Sequence, residues 1–325
     1  MSDGTAERNT QSRLPRALAL LVLIPAVTTV VAIAFGVVPE AVFDAGCVAG
    51  RSVGTELACY GFVWNAVTTG VFIGATAPLI GTYLVYREMA LIGETLAHTA
   101  FAGVAIGTLL LGASGWETTL VIAALGAAVV GALVVQELSD RTVAHGDVPI
   151  AVVLTGSFAV GALAFDLGGG FASVDVNSYL FGSITLTDDR GVSLIALLSL
   201  AVVGVVAVTH KQLLFVTFDP QAARVARLHV SWYNALLIVL TAVVVVGAMQ
   251  ILGVILVAAL LVVPVAAAGE VARSFRSALY GSILIGEASV LAGLALSFRY
   301  GLRPGATIVV IAIGIYLVAV TLPNR

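Results

Sequence analysis

Ten stretches of about twenty residues run almost without charge, at 17–38, 62–86, 89–111, 117–136, 148–166, 190–209, 231–249, 252–269, 277–297 and 304–321. About 20 apolar residues of helix cross roughly 30 Å of hydrocarbon. Lipid leaves a spanning chain only helices or a closed barrel, because every backbone polar group must be satisfied internally. Runs of this length predict helices. The expected fold is therefore an all-α integral membrane protein, a polytopic bundle of about ten transmembrane helices. Nine is the alternative count. Two spans nearly touch at Met249–Gly253, and the span 89–111 carries ionisable residues.

Composition agrees. Hydrophobic residues make up 60% of the 325 and charged residues only 10%, against about 25% charged in ordinary soluble proteins. A soluble domain of this composition could not cover its surface with polar groups. A cytosolic globular enzyme, a nucleic-acid-binding domain and a disordered chain are excluded.

Basic residues orient the bundle, since lysine and arginine collect in cytoplasmic loops. With the N-terminus inside, Arg8, Arg13, Arg16, Arg87, Arg141, Lys211, Arg224, Arg227, Arg273, Arg276 and Arg325 fall on the cytoplasmic side. Only Arg51, Arg190, Arg299 and Arg303 fall outside. Both termini are expected to be cytoplasmic, with residues 1–16 a cytoplasmic tail. The run 17–38 follows the basic Arg13 and Arg16 as a signal peptide would, but it exceeds the usual 7–15 residues of such a core. A retained first helix is the expectation. Cys47 and Cys59 share the outside loop 39–61, where an oxidising compartment favours a disulfide; two unrelated small residues are the alternative.

Some chemistry is missing. The only lysine, Lys211, follows no glycine-rich loop, so the chain has no phosphate-binding P-loop. Zinc-protease and Cys-x-x-Cys redox motifs are absent as well. Gly156-Ser157 lies in a small-residue helical stretch that reads as helix packing, and no complete catalytic set supports an intramembrane enzyme.

Three ionisable side chains lie well inside the spans: Glu94, His98 and Glu287. A charge at mid-bilayer costs at least about 2.5–3.5 kcal/mol, so such groups face the bundle interior or a wet cavity. Glu94 and His98 stand four residues apart, on one helix face. His98 is about 16 Å along the axis from Arg87, near the bilayer middle. One carboxylate and one imidazole suit zinc, manganese or iron. The alternative is that the two bond to each other and fasten helices. Glu287 reads either as a protonated carboxyl bonded to a neighbouring backbone or as part of a pathway. His145, His210 and His229 fall in inside loops and read as surface histidines.

The inside loop 210–230 contains a short amphipathic helix by its signals. Asp219 is a good N-cap and Pro220 fits the first helical position. Ala222, Val225 and Ala226 form a narrow apolar stripe, with Arg224 and Arg227 offset from it. Such a helix lies on lipid or docks on a partner protein, and its small non-aromatic face favours the partner.

Several blocks now carry a resemblance. The run Gly81 to Ala105, with Arg87, Met89, Leu91-Ile92-Gly93-Glu94 and His98-Thr99-Ala100, resembles permeases of zinc/manganese/iron-type ABC importers. Their pattern is Gly-x-x-Leu-Val-x-Arg followed by Met-Ser-Leu-Ile-Gly-Asp-Ala-x-Ser-His-Ala. Ser178-Tyr179-Leu180-Phe181-Gly182, the element from Phe218-Asp219-Pro220 to Leu228, and the run Gln250 to Pro264 are similar to further family blocks in the same order. The resemblance covers roughly residues 60 to 322. The chain then divides into the tail 1–16, an added helix and outside loop at 17–59, and the permease domain 60–325.

The resemblance implies a homodimer with its translocation path at the subunit interface. It implies a cytoplasmic ATP-binding subunit that supplies the missing P-loop and an extracellular metal-binding protein. No cofactor is bound permanently; the divalent metal ion is cargo, and ATP sits on the partner. Residues 218–228 would be the coupling helix, and Glu94 and His98 would contact metal. Two departures stand out: Glu94 replaces the family's Asp, and Ala97 its Ser. Glu287 belongs to no family motif. The rival of another class is an ion-gradient-driven secondary transporter, with Glu94 and Glu287 carrying protons. A cobalamin or siderophore permease is a rival within the ABC class.

Overall fold

A computed structural model describes Asp44, Cys47, Val48, Gly182 and residues 59–111, 118–141, 147–167 and 189–321. The first span, 17–38, lies outside the described residues. Those described form ten helices: α1 (Gly61–Val85), α2 (Ile92–Leu111), α3 (Thr118–Arg141), α4 (Asp147–Leu167), α5 (Asp189–Phe218), the short α6 (Pro220–Val225), α7 (Val230–Leu252), α8 (Val254–Val271), α9 (Phe275–Tyr300) and α10 (Pro304–Thr321). Seven of them, α1, α3, α4, α5, α7, α9 and α10, are long and apolar enough to cross a membrane by length and composition. Helix α2 has 20 residues, about 30 Å of helix, but Glu94 and His98 lower its hydropathy.

The boundary between α7 and α8 is made by one residue. Gly253 takes φ +76°, a conformation glycine reaches without a Cβ penalty, and the ladder breaks there. Three other helix ends close differently, through a left-handed residue. The Met89 amide donates to the Leu84 carbonyl across Glu88, Leu228 to Ala223 across Arg227, and Leu302 to Ser297 across Gly301. These are the six-to-one bonds of a Schellman cap. Glu88 and Arg227 both sit at φ +61°, which costs a residue other than glycine about 1–2 kcal/mol.

The expected loop 210–230 requires a correction. Helix α5 continues nine residues past 209 to Phe218, because nothing breaks it before Asp219-Pro220. Leu213 and Val216 keep its apolar face buried. His210 is therefore not a loop histidine. It is half-buried on α5, and its Nδ1 lies 2.6 Å from the Tyr83 hydroxyl of α1.

Helices α2, α3 and α4 pack on one another, α1, α8, α9 and α10 form a second group, and α7 bridges the two. In an 18-residue apolar stretch of each span, 67% of the residues are buried in α1 and 61% in α7, against 39% at most in the other five, so α1 and α7 form the axis. Backbones meet closely where glycine permits. A Cβ on Gly81 of α1 would overlap the Leu261 carbonyl of α8. A buried 2.9 Å bond between the hydroxyls of Thr82 and Ser282 ties α1 to α9.

Candidate metal pathway

Helix α2 is held in place from several sides. Phe101 stacks on Phe158 and Phe165 of α4, with ring centroids 6.1 and 5.2 Å apart. The Thr95 hydroxyl reaches the Leu91 and Ile150 carbonyls. A Cβ on Gly103 would overlap α3 at Ala123 and Ala127. These contacts fix which face of α2 carries Glu94 and His98.

Glu94 lies in the first turn of α2, where the helix dipole favours a carboxylate. His98 follows one turn on. Its Nε2 stands 4.0 Å from the Glu94 Oε1, with the side chains 15% and 43% exposed respectively. That separation is too long for a hydrogen bond, so the pair does not fasten itself together. The His98 Nδ1 is buried and finds no partner among the described residues. Its ring edge meets Phe158 with centroids 5.1 Å apart. Two donors bound to one tetrahedral ion at about 2.1 Å stand about 3.4 Å apart, so a small side-chain rotation brings both onto one ion.

Glu287 lies elsewhere. It is half-buried on α9, over Gly74 of α1. Among the described residues no three of His, Cys, Asp and Glu converge as a metal-holding group. Within one chain, Glu94 and His98 form a two-donor arrangement, and Glu287 does not complete it.

At the other predicted element, the Asp219 carboxylate accepts the Ala222 amide at 2.8 Å and Pro220 opens α6. Ala223 is buried against Val216 and Val230. This turns Val225 outward, 86% exposed, with Arg224 and Ala226 beside it. Arg227 is the left-handed closing residue of α6. The Cys47 and Cys59 sulfurs are bonded, with Cα atoms 4.6 Å apart. His145 lies outside the described residues, and His229 is exposed ahead of α7.

Sequence reasoning used Arg87 to orient the bundle, to gauge the depth of His98 and as part of the family block, and gave it no bonding role. In the structure its Nε donates to the Thr217 hydroxyl of α5 at 2.9 Å, and its Nη1 to the Asn234 Oδ1 of α7 at 2.7 Å. Burial pushes its guanidinium down to about 10, so it remains charged near neutral pH. Tyr86, Phe218 and Phe275 pack beside it, with centroids 5.2 to 5.9 Å apart. The end of α1 is thereby joined to Phe218, the residue before the α6 cap. An arginine immediately after a long apolar run was the available signal for this junction.

Residues 59–322 match the model of the ABC 3 transport family. The chain is 27% identical over 258 residues to the manganese import system permease protein ScaB of Streptococcus gordonii, covering 79% of this chain and 90% of that protein. It is 28% identical over 260 residues to the manganese transport system membrane protein MntC of Listeria innocua, covering 80% and 90%. A chain of PsaBC from Streptococcus pneumoniae, solved in complex with a Fab, superposes with a TM-score of 0.72 at 26% identity, over 87% of this chain and 96% of that one. Apolar spanning helices and membrane-protein relatives together make this a multi-pass protein of the cell membrane. With the family model spanning most of its length, the chain belongs to the ABC 3 transport family, as a permease of the metal-transport type.

Proposed function

We propose that the chain is the permease subunit of an ATP-driven importer of a divalent transition-metal ion. It would work as a homodimer with a cytoplasmic ATP-binding subunit and an extracellular metal-binding protein. The observation that carries this reading is the Glu94–His98 pair. Two donors share one face of a bilayer-length helix, too far apart to satisfy each other, and the buried His98 Nδ1 has no partner among the described residues. A second copy would cover this face, because a half-exposed carboxylate cannot cheaply face lipid. Two such pairs supply four donors, enough for a transient site. Manganese is the favoured cargo, since relatives are named for it; zinc and iron suit the same donors.

Energy would enter at α6. Its capped base is seated by Ala223, and its exposed Val225 and Arg224 are free to rest on the ATPase. The path from α6 to α2 runs through Phe218, the aromatic cluster and Arg87. Residues 17–59 lie ahead of most of the family match and would be an addition to the permease core.

Reconstituted vesicles holding the permease and its ATPase test the reading. Manganese uptake should require internal or external ATP on the ATPase side and persist when proton and sodium gradients are collapsed. Val225→Asp should abolish the ATP-driven uptake while the permease stays folded. Uptake driven by an ion gradient without ATP would instead favour the secondary transporter.

A further inference from the structure

A second polar site adjoins Arg87, and neither Glu94 nor His98 lines it. A cavity of about 420 Å³ opens between the α1–α2 turn, the end of α3, α6 and the start of α7. Arg87, Arg224, Gln136, Ser231 and Asn234 line it, together with one carboxylate, Glu88. Two guanidiniums against one carboxylate leave the lining cationic. A water's share of liquid is about 30 Å³, so a phosphate group enters with its hydration.

Several hydrogen-bond donors meet at this cavity. Arg87 spends Nε and Nη1 on Thr217 and Asn234, which fix its plane. Its Nη2 is buried and has no partner among the described residues. A buried charged donor without an acceptor is costly, and arginine's planar fork matches phosphate. Ser231 already accepts from the Gln136 amide at 3.0 Å, which leaves its hydroxyl proton to donate elsewhere. Arg224 reaches the same cavity from α6. The site stands where α1 ends and α7 begins, at the level of the bilayer surface, where basic pockets between helices bind anionic headgroups.

We infer that this cavity binds a phosphate oxyanion, held by Arg87 and Arg224 and steadied by Ser231. The source is an anionic lipid headgroup or a soluble phosphate. Its cytoplasmic placement rests on the orientation proposed above; the donor set does not. Because Arg224 lies on α6, an occupied site would tie the coupling helix to the α1–α2 turn.

The test uses the full-length permease purified with its ATPase in detergent. In one arm, complexes exposed to phosphatidylglycerol or phosphatidylcholine are washed and the retained lipid is measured by mass spectrometry. In the other, inorganic phosphate is titrated calorimetrically into lipid-depleted complex. Selective retention of phosphatidylglycerol, not displaced by phosphate, assigns the site to a headgroup; saturable phosphate binding assigns it to a soluble anion. In either case Arg224→Gln should weaken binding about tenfold, the scale of one charge-assisted contact. Arg87→Lys should weaken it as well, by losing the fork. Arg224→Gln decides the matter, because Arg87 also ties α1 to α5 and α7. Equal retention and equal phosphate binding in wild type and Arg224→Gln would overturn the inference. So would loss of ATPase co-elution in Arg224→Gln with no anion bound to the wild type, which would give the pocket to an acidic side chain of the ATPase. Neither readout involves metal uptake, so failure here leaves the transport reading standing, and the reverse.

Discussion

Replacing His98 with alanine should lower metal uptake about 100-fold or more, a loss at least as large as that from disturbing a supporting residue of a metal site, while ATP hydrolysis continues. The imidazole is the only nitrogen donor on this face of α2, and its burial against Phe158 sets its direction. Glu94→Gln should act similarly, since it keeps the shape but removes the negative charge that draws a divalent ion. Glu94→Asp should retain uptake, because the shorter carboxylate keeps the charge and the family pattern carries Asp there. Uptake by proteoliposomes, measured alongside ATP hydrolysis, separates a lost pathway from a broken machine. Wild-type uptake in both His98→Ala and Glu94→Gln would remove these residues from the pathway.

Gly81→Val should keep folded protein from accumulating. A Cβ at this position overlaps the Leu261 carbonyl, and the obstacle is α8 backbone, which cannot rotate aside as a side chain can. Forcing helices apart in a close-packed interior costs about 1–3 kcal/mol or more. The disturbance would also spread, since α1 is the most buried span and its end positions Arg87 and the start of α2. Gly247→Ala is the matched control. That glycine is buried on α7, and a Cβ there meets nothing within 4 Å. It should be neutral, or stabilising by about 0.5–1 kcal/mol through better helix propensity. Monodispersity and thermal unfolding of the purified complex would separate the two. A Gly81→Val protein as stable as wild type would contradict the close crossing.

Among the described residues, hydrophobic run length was enough to place nine long helices, because a spanning helix announces itself by its own composition. The boundaries it missed depend on what else the chain touches. Helix α5 runs past its apolar window because Leu213 and Val216 stay buried while His210 and Lys211 ride the same helix. The division near Met249–Gly253 was legible, but the break falls at Gly253, which the expected span 252–269 had included, because glycine reaches φ +76°. Glu88 and Arg227 were not, because nothing local marks a charged residue for the left-handed region.

The candidate site follows the same division. The four-residue spacing of Glu94 and His98 put them on one face before any coordinates. Whether they bonded to each other depended on side-chain geometry, and 4.0 Å places them apart. The anchoring of Arg87 by Thr217 and Asn234 spans 130 and 147 positions of sequence, a pairing only the packed bundle reveals.

The account rests most heavily on Glu94 and His98 holding the transported ion, and equilibrium binding tests that without the complications of turnover. Manganese bound by the purified permease–ATPase complex, without nucleotide and without the extracellular protein, would be counted by paramagnetic resonance. The account predicts about one ion per two permease chains in the wild type and none above background in the Glu94→Gln/His98→Ala double variant. The same stoichiometry and affinity in both would contradict it.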